Sequence, residues 1–249
     1  MRHTCTRILG VVALAGLLSS PVSTASVPGD HAESRGSDRG GRVDPKPPRP
    51  LANYKGLTAG EWLAVWWQAV FAKSVENGSH PLIDGGPFGW NNRMMFVGGP
   101  VLPTGSPKVT IRVTVPAGTH VVIPIITVEC SVAEAPPFHG GNEAELRACA
   151  NGLLDEVADP SAKINGMPLE NPEAYRVDTP LFRYGPLTAD NVLGLPPGTQ
   201  SDAVAAGYVL LLPPFSVGVH RIRVSATVPA FGIAVDAETI INVESPRER

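Results

Sequence analysis

The chain lacks several things that would place it quickly. No uninterrupted apolar run approaches the roughly 20 residues that a membrane-spanning helix needs, and no run of basic residues could neutralise a series of phosphates. Membrane spanning, nucleic-acid binding and attachment to acidic membranes are therefore not expected. The cysteines are only three and none lies in a CxxC pair, which leaves little room for dithiol exchange or a zinc knuckle. G-x-S-x-G, HExxH, a P-loop, a helix-opening G-x-G-x-x-G and a D-x-D-x-D-G calcium loop are all missing. A cupin metal site needs an HxH pair, and His120 stands alone between Thr119 and Val121. Neither a metal site nor a cofactor is expected.

What is present begins with an address. Arg2 and Arg7, the apolar stretch Ile8 to Leu18 and the small residues Ser23, Thr24 and Ala25 form the three regions of an export signal, predicted to span residues 1–25. Its removal takes Cys5 with it and leaves Cys130 and Cys149, for which a disulfide is the expectation in an oxidising compartment. The formal charge of −3 becomes −5 as Arg2 and Arg7 leave. Residues 26–50, rich in Gly, Pro, Ser, Asp and Arg, cannot bury enough apolar surface to offset ordering, so a disordered tether is predicted there. Residues 51–249 are then a single folded domain.

That domain opens with Thr58 and Glu61 as a capping box before Trp62, Trp66, Ala69 and Val70, which share one helical face. Three tryptophans at this spacing predict a helix packed on a sheet rather than a ligand platform. Val109, Ile111, Val113 and Val115 alternate with Thr110, Arg112 and Thr114, the period of a half-buried strand. His120 to Ile126 is more continuously apolar, and Pro124 within it predicts an edge or a bulge. Asn142 and Glu145 predict a second helix, which the disulfide would staple to the end of the 121–128 strand. Asn165-Gly166 predicts a two-residue hairpin, and strands follow at 207–212, 219–227 and 233–243. The fold class is mainly β: an antiparallel β-sandwich, Ig-like or jelly-roll-like, with two helical insertions.

Several of these segments carry a resemblance. Gly56-Leu57-Thr58-Ala59-Gly60-Glu61-Trp62, Trp66-Trp67-Gln68, Val115-Pro116-Ala117-Gly118, Pro124-Ile125-Ile126 and Glu129-Cys130-Ser131 resemble a family of exported bacterial β-rich proteins, over residues 55–243. The resemblance implies export and a β-rich fold, and implies no reaction. The chain departs from the family pattern at Pro87-Phe88-Gly89-Trp90, where a cysteine and a glutamine are expected.

The polar candidates lie on predicted loops. Trp90, Asn91 and Arg93 are candidate binding residues, with Trp90 the best candidate for an aromatic platform, although core burial of its ring is the more common outcome for such a residue. Asp84, Glu129, Glu134 and His139 form the set an enzyme would use. Two of the carboxylates could serve as general acid and base if they stood about 5 to 10 Å apart. His220 shares the parity of Ile222 and Val224 and is expected inward or at a rim. The expectation is a secreted or otherwise extracytoplasmic (periplasmic or cell-surface) β-sandwich that binds a carbohydrate or a cell-envelope component through its loops without catalysis. A secreted hydrolase or lyase, and a purely structural envelope protein, are the alternatives.

Overall fold

The structure, a computed structural model, describes residues 49–76, 78–91 and 93–245, with Trp90 and Asn91 described for their backbone alone. The expected export signal and all but the last two residues of the expected tether lie outside the described residues. Strands β1 (Asn53–Tyr54) and β2 (Leu57–Thr58) pair with each other and lead into helix α1 (Ala59–Phe71). Then come β3 (Gly86–Asn91), β4 (Met94–Gly98), β5 (Leu102–Pro103), β6 (Val109–Pro116), β7 (His120–Ser131) and helix α2 (Glu143–Leu154). The rest is β8 (Ala158–Ile164), β9 (Met167–Pro168), β10 (Arg176–Asp178), β11 (Phe182–Tyr184), β12 (Ser201–Leu212), β13 (Gly218–Val228) and β14 (Ile233–Glu244).

Apart from the β1–β2 pair, these strands form two six-stranded sheets. The first has the order β10-β12-β7-β4-β3 with β11 also on β12, and the second the order β5-β14-β13-β8-β9 with β6 also on β14. Alternation explains why they stack: in β14, Val235, Ala237, Thr239, Ile241 and Val243 are buried, whereas Asp236, Glu238 and Asn242 stay partly in solvent. Between the sheets lies one apolar core, to which Ile123, Val204, Leu210, Ile222 and Val224 contribute. A second core covers the other face of the first sheet, where Val122, Ala205, Val209 and Leu211 meet α1. The first sheet is thus buried on both faces, which accounts for the nearly unbroken apolar run of β12.

The fold is the expected β-sandwich with two helices, with one departure in strand direction. It is not wholly antiparallel: β4 runs parallel to β7, and β6 parallel to β14. The reason is that the 116–119 turn crosses between sheets rather than closing a hairpin. Ala117 donates its N–H to the Glu244 carbonyl at 2.8 Å, leaving β6 beside β14 while β7 starts in the other layer.

Both helices start as their caps direct. Thr58 Oγ1 accepts the Glu61 N–H at 3.2 Å while Glu61 Oε2 accepts the Thr58 N–H at 2.7 Å, a capping box worth about 1 kcal/mol. Asn142 Oδ1 accepts the Glu145 N–H at 3.1 Å. Helix α2 buries Leu146, Ala150 and Leu154 into the inter-sheet core. Cys149 on α2 is bonded to Cys130 on β7 (Cα–Cα 6.2 Å), the staple expected from the sequence. Asn165 and Gly166 turn β8 into β9, and no described helix is long and apolar enough to cross a membrane.

Candidate functional site

Strand β7 has two unlike flanks. On one side β12 pairs with it from Val121 to Ser131, interrupted only by a register shift beside Pro124, where the sequence predicted a bulge. On the other side β4 covers His120 to Val122, and the bridge between Ser131 and His139 covers the far end. Between Ile123 and Cys130 no described strand pairs with that flank.

The direction of the free backbone groups follows from their neighbours. Val132 donates its N–H to the Asp202 carbonyl, and Ala205, opposite Glu129, turns its own N–H and carbonyl away to Thr179. Because hydrogen-bonded and non-hydrogen-bonded pairs alternate along an antiparallel ladder, Thr127 and Glu129 point their N–H and C=O away from β12. Ser131, one step further in the same phase, gives its N–H to the Phe138 carbonyl at 3.0 Å. Thr127 and Glu129 have no such backbone partner among the described residues.

A groove runs along this flank. Its larger part, with a cavity volume of about 70 Å³, and a smaller part of about 40 Å³ share Trp67, Val101, Ile126 and Thr127. One wall is α1, through Trp66, Trp67 and Phe71, and the other is the end of the second sheet where β13 turns into β14, through Val228, Phe231, Ile233 and Val235. Two adjacent tryptophans frame the gap. Trp66 Nε1–H donates to the Val97 carbonyl on β4 at 3.0 Å, and Trp67 Nε1–H to Thr127 Oγ1 on β7 at 3.2 Å, with the rings edge to face at 5.1 Å. Helix α1 is thereby tied to the strands on both sides of the opening. Gly207 makes room for this: a Cβ there would lie 2.7 Å from that of Thr127, whose hydroxyl also donates to the Ala206 carbonyl at 2.9 Å.

At one end the groove meets two carboxyl groups. Glu129 is 5% exposed, and its Oε1 is a buried acceptor with no partner among the described residues. Burial first, then the charge of Glu134 and a hydrogen bond to it, hold the Glu129 carboxyl well above the ordinary range. Burial raises Glu134 as well, opposed by hydrogen bonds from Glu129 and Ser131. The hydrogen bond between them raises Glu129 and lowers Glu134, so it favours the protonated form of Glu129 with Glu134 as acceptor. Ser131 Oγ donates to Glu134 Oε2 at 2.8 Å and lies 3.0 Å from the Tyr184 hydroxyl, whose pKa burial pushes well up.

Of the residues proposed from sequence, only Glu129 and Glu134 come together. Glu129 is not on a loop as expected: β7 continues through it to Ser131, because Cys130 alternates into the inter-sheet core. Asp84 instead holds a turn, its Oδ2 accepting the His80 N–H at 3.1 Å. His139 is exposed, and Arg93 is exposed at the β3–β4 turn with φ 67°. Trp90 and Asn91 belong to β3 rather than to a loop, and their side chains lie outside the described residues. His220 is buried as expected, with Nε2 2.8 Å from the Ser216 carbonyl and Nδ1 3.1 Å from Asn165 Nδ2. Among the described residues no three His, Cys, Asp or Glu side chains gather to hold a metal ion. Sequence reasoning missed Ser131 and Tyr184, and it missed the groove, which is made of residues far apart in the chain.

No family model matches the chain, and no curated protein matches it. Among solved structures, one titled "Structure of PbICP-C in complex with falcipain-2" aligns with 61% of this chain and 98% of that chain at 14% identity and a TM-score of 0.21.

Proposed function

We propose that the chain is an exported binding module whose ligand, an apolar component met outside the cytoplasm, sits in the groove beside β7. The observation that carries this reading is the apolar groove itself, continuous from Pro124 to Glu134 and walled by a helix on one side and the β13–β14 turn on the other. The disulfide supports export, since such bonds persist in oxidising compartments. Groove chemistry favours an apolar ligand over a sugar: sugar stacking asks for an open aromatic face, and Trp67 is 5% exposed. The test is titration with 8-anilinonaphthalene-1-sulfonate, an apolar dye, against the chain and its Phe231→Asp and Val101→Asp variants. The dye signal is expected to fall at least about tenfold in affinity in both variants at unchanged far-ultraviolet circular dichroism. Equal binding by all three proteins would remove the groove from the function.

A second reading is favoured by one specific observation, the contact of the buried Glu129 carboxyl with that of Glu134 at the groove end, where burial raises both. Two carboxyls sharing a proton can act together, the ionised one taking a proton from water as the other protonates a carbonyl oxygen. Their hydrogen-bond contact is closer than either glycosidase geometry, so this chemistry points to acyl hydrolysis rather than glycoside cleavage. Hydrolysis of a fluorogenic acyl ester, lost in both Glu129→Gln and Glu134→Gln, is the expected sign. Activity retained in both variants would end this reading.

A further inference from the structure

Resting on the groove-binding reading, we infer that the groove is a strand-acceptor site: an extended peptide segment of another protein, apolar at successive positions, pairs with the open flank of β7. Three observations converge. First, Thr127 and Glu129 present N–H and C=O groups along that flank with no backbone partner among the described residues, in the spacing of a strand edge. Second, the flank is occupied at both ends, by β4 as far as Val122 and by His139 at Ser131. The gap of about eight residues, roughly 26 Å, is the length of one ordinary strand. Third, both walls are apolar, so side chains alternating up and down from such a strand would meet Trp67 and Phe71 on one side and Phe231 and Ile233 on the other. A lipid would use the walls and leave the backbone groups unpaired, whereas a strand uses both.

The chain's own N-terminal segment is a poor occupant. Residues 26–48 hold only Val27 and Val43 as large apolar residues, and Pro45, Pro47 and Pro48 have no N–H to donate. The segment that fits comes from a different protein, rich in β-branched and aromatic residues, and pairs by its main chain with side-chain pockets setting the choice.

The experiment uses the full chain and a fluorescein-labelled peptide, Lys-Val-Ile-Val-Phe-Val-Thr-Lys, made in three forms: unmodified, N-methylated at alternate amides, and N-methylated at the other set. A paired strand turns only every second amide toward its neighbour. One methylated form is therefore expected to lose at least about tenfold in affinity and the other to bind like the parent. In hydrogen exchange, the Thr127 and Glu129 amides should slow on peptide addition while Val128, already facing β12, stays unchanged. If the two methylated forms bind alike and neither amide slows, strand pairing is wrong although the groove still binds apolar matter. If neither the peptides nor the dye bind, both the pairing and the groove reading fail. Amides of Thr127 and Glu129 already slow in the peptide-free chain would mean an internal occupant, and would overturn the partner-strand proposal.

Discussion

The two flanks of β7 belong to one strand and differ in almost everything else. Toward β12 ten residues of the backbone are paired and both faces are sealed by apolar side chains. Toward the groove the ladder stops after Val122 and resumes only at Ser131. The difference teaches that one strand can put its full pairing on one side and, on the proposed reading, keep the other side for recognition. An open strand edge is normally a hazard that proteins blunt by charge, proline, bulges or a cover. Here Pro124 and the register shift beside it interrupt the edge at one end, the Glu129 and Glu134 carboxyls stand at the other, and α1 overhangs the middle.

The sharpest way to break the comparison is to damage the closed flank. Val204 is fully buried opposite Cys130, so Val204→Asp would put an uncompensated charge between the sheets. A loss of about 5 kcal/mol or more is expected, enough to unfold a domain of ordinary stability. Soluble, cooperatively melting Val204→Asp protein would show that this flank is not what holds the fold together.

Next in size is the staple. Removing Cys130–Cys149 by the double Ala substitution should lower stability by about 3 kcal/mol, chiefly by freeing the unfolded chain between positions 19 apart. The same bond limits how far the 131–142 loop, which carries Glu134, can move from Glu129. Chemical denaturation with and without reductant measures the stability loss. An unchanged midpoint would mean that α2 is held by Leu146, Ala150 and Leu154 alone.

How much of this was legible in the sequence follows the same division. The framework was readable because its signals are local: the Thr58–Glu61 box, the alternation of β6 and β14, the Asn165-Gly166 hairpin and the cysteine pair. The strand Met94–Gly98 was not, since five consecutive buried residues carry no period and Gly98 and Gly99 read as loop. The site was legible only in part. Glu129 and Glu134 could be named as carboxylates, but their contact depends on β7 running on to Ser131 before the chain turns back. Tyr184 reaches Ser131 from 53 residues away, and the groove joins α1 to β13, β14 and the segment after β4. A gap in a ladder leaves no mark in one sequence, because it is defined by a strand that is not there.

Thr127 joins the two flanks, so it tests whether they are coupled. Its hydroxyl donates to Ala206 on the closed side and accepts from Trp67 on the groove side. Thr127→Val keeps the shape and leaves the Trp67 N–H without its partner, at an expected cost of about 1–2 kcal/mol. Thr127→Ser, which keeps the hydroxyl, should cost less than half as much. A thermal melt of each is sufficient, and a larger loss in Thr127→Ser than in Thr127→Val would show that the methyl group, not the hydroxyl, is what matters.

The smallest expected effect is a slope. Burial holds the Glu129 carboxyl well above the ordinary value of 4.5, so the folded protein keeps a proton that the unfolded chain releases once the pH passes about 4.5. Over that window the folded state binds more protons, and stability falls as pH rises from about 4.5 through the raised pKa. Glu129→Gln carries no proton to lose while its amide can still donate to Glu134. Its melting temperature should match the parent near pH 4.5 and exceed it at pH 8, by about 2–4 °C for each kcal/mol removed. Parallel curves for the two proteins across that range would mean that Glu129 already holds its charge at neutral pH, and that the groove end presents two negative groups to whatever enters it.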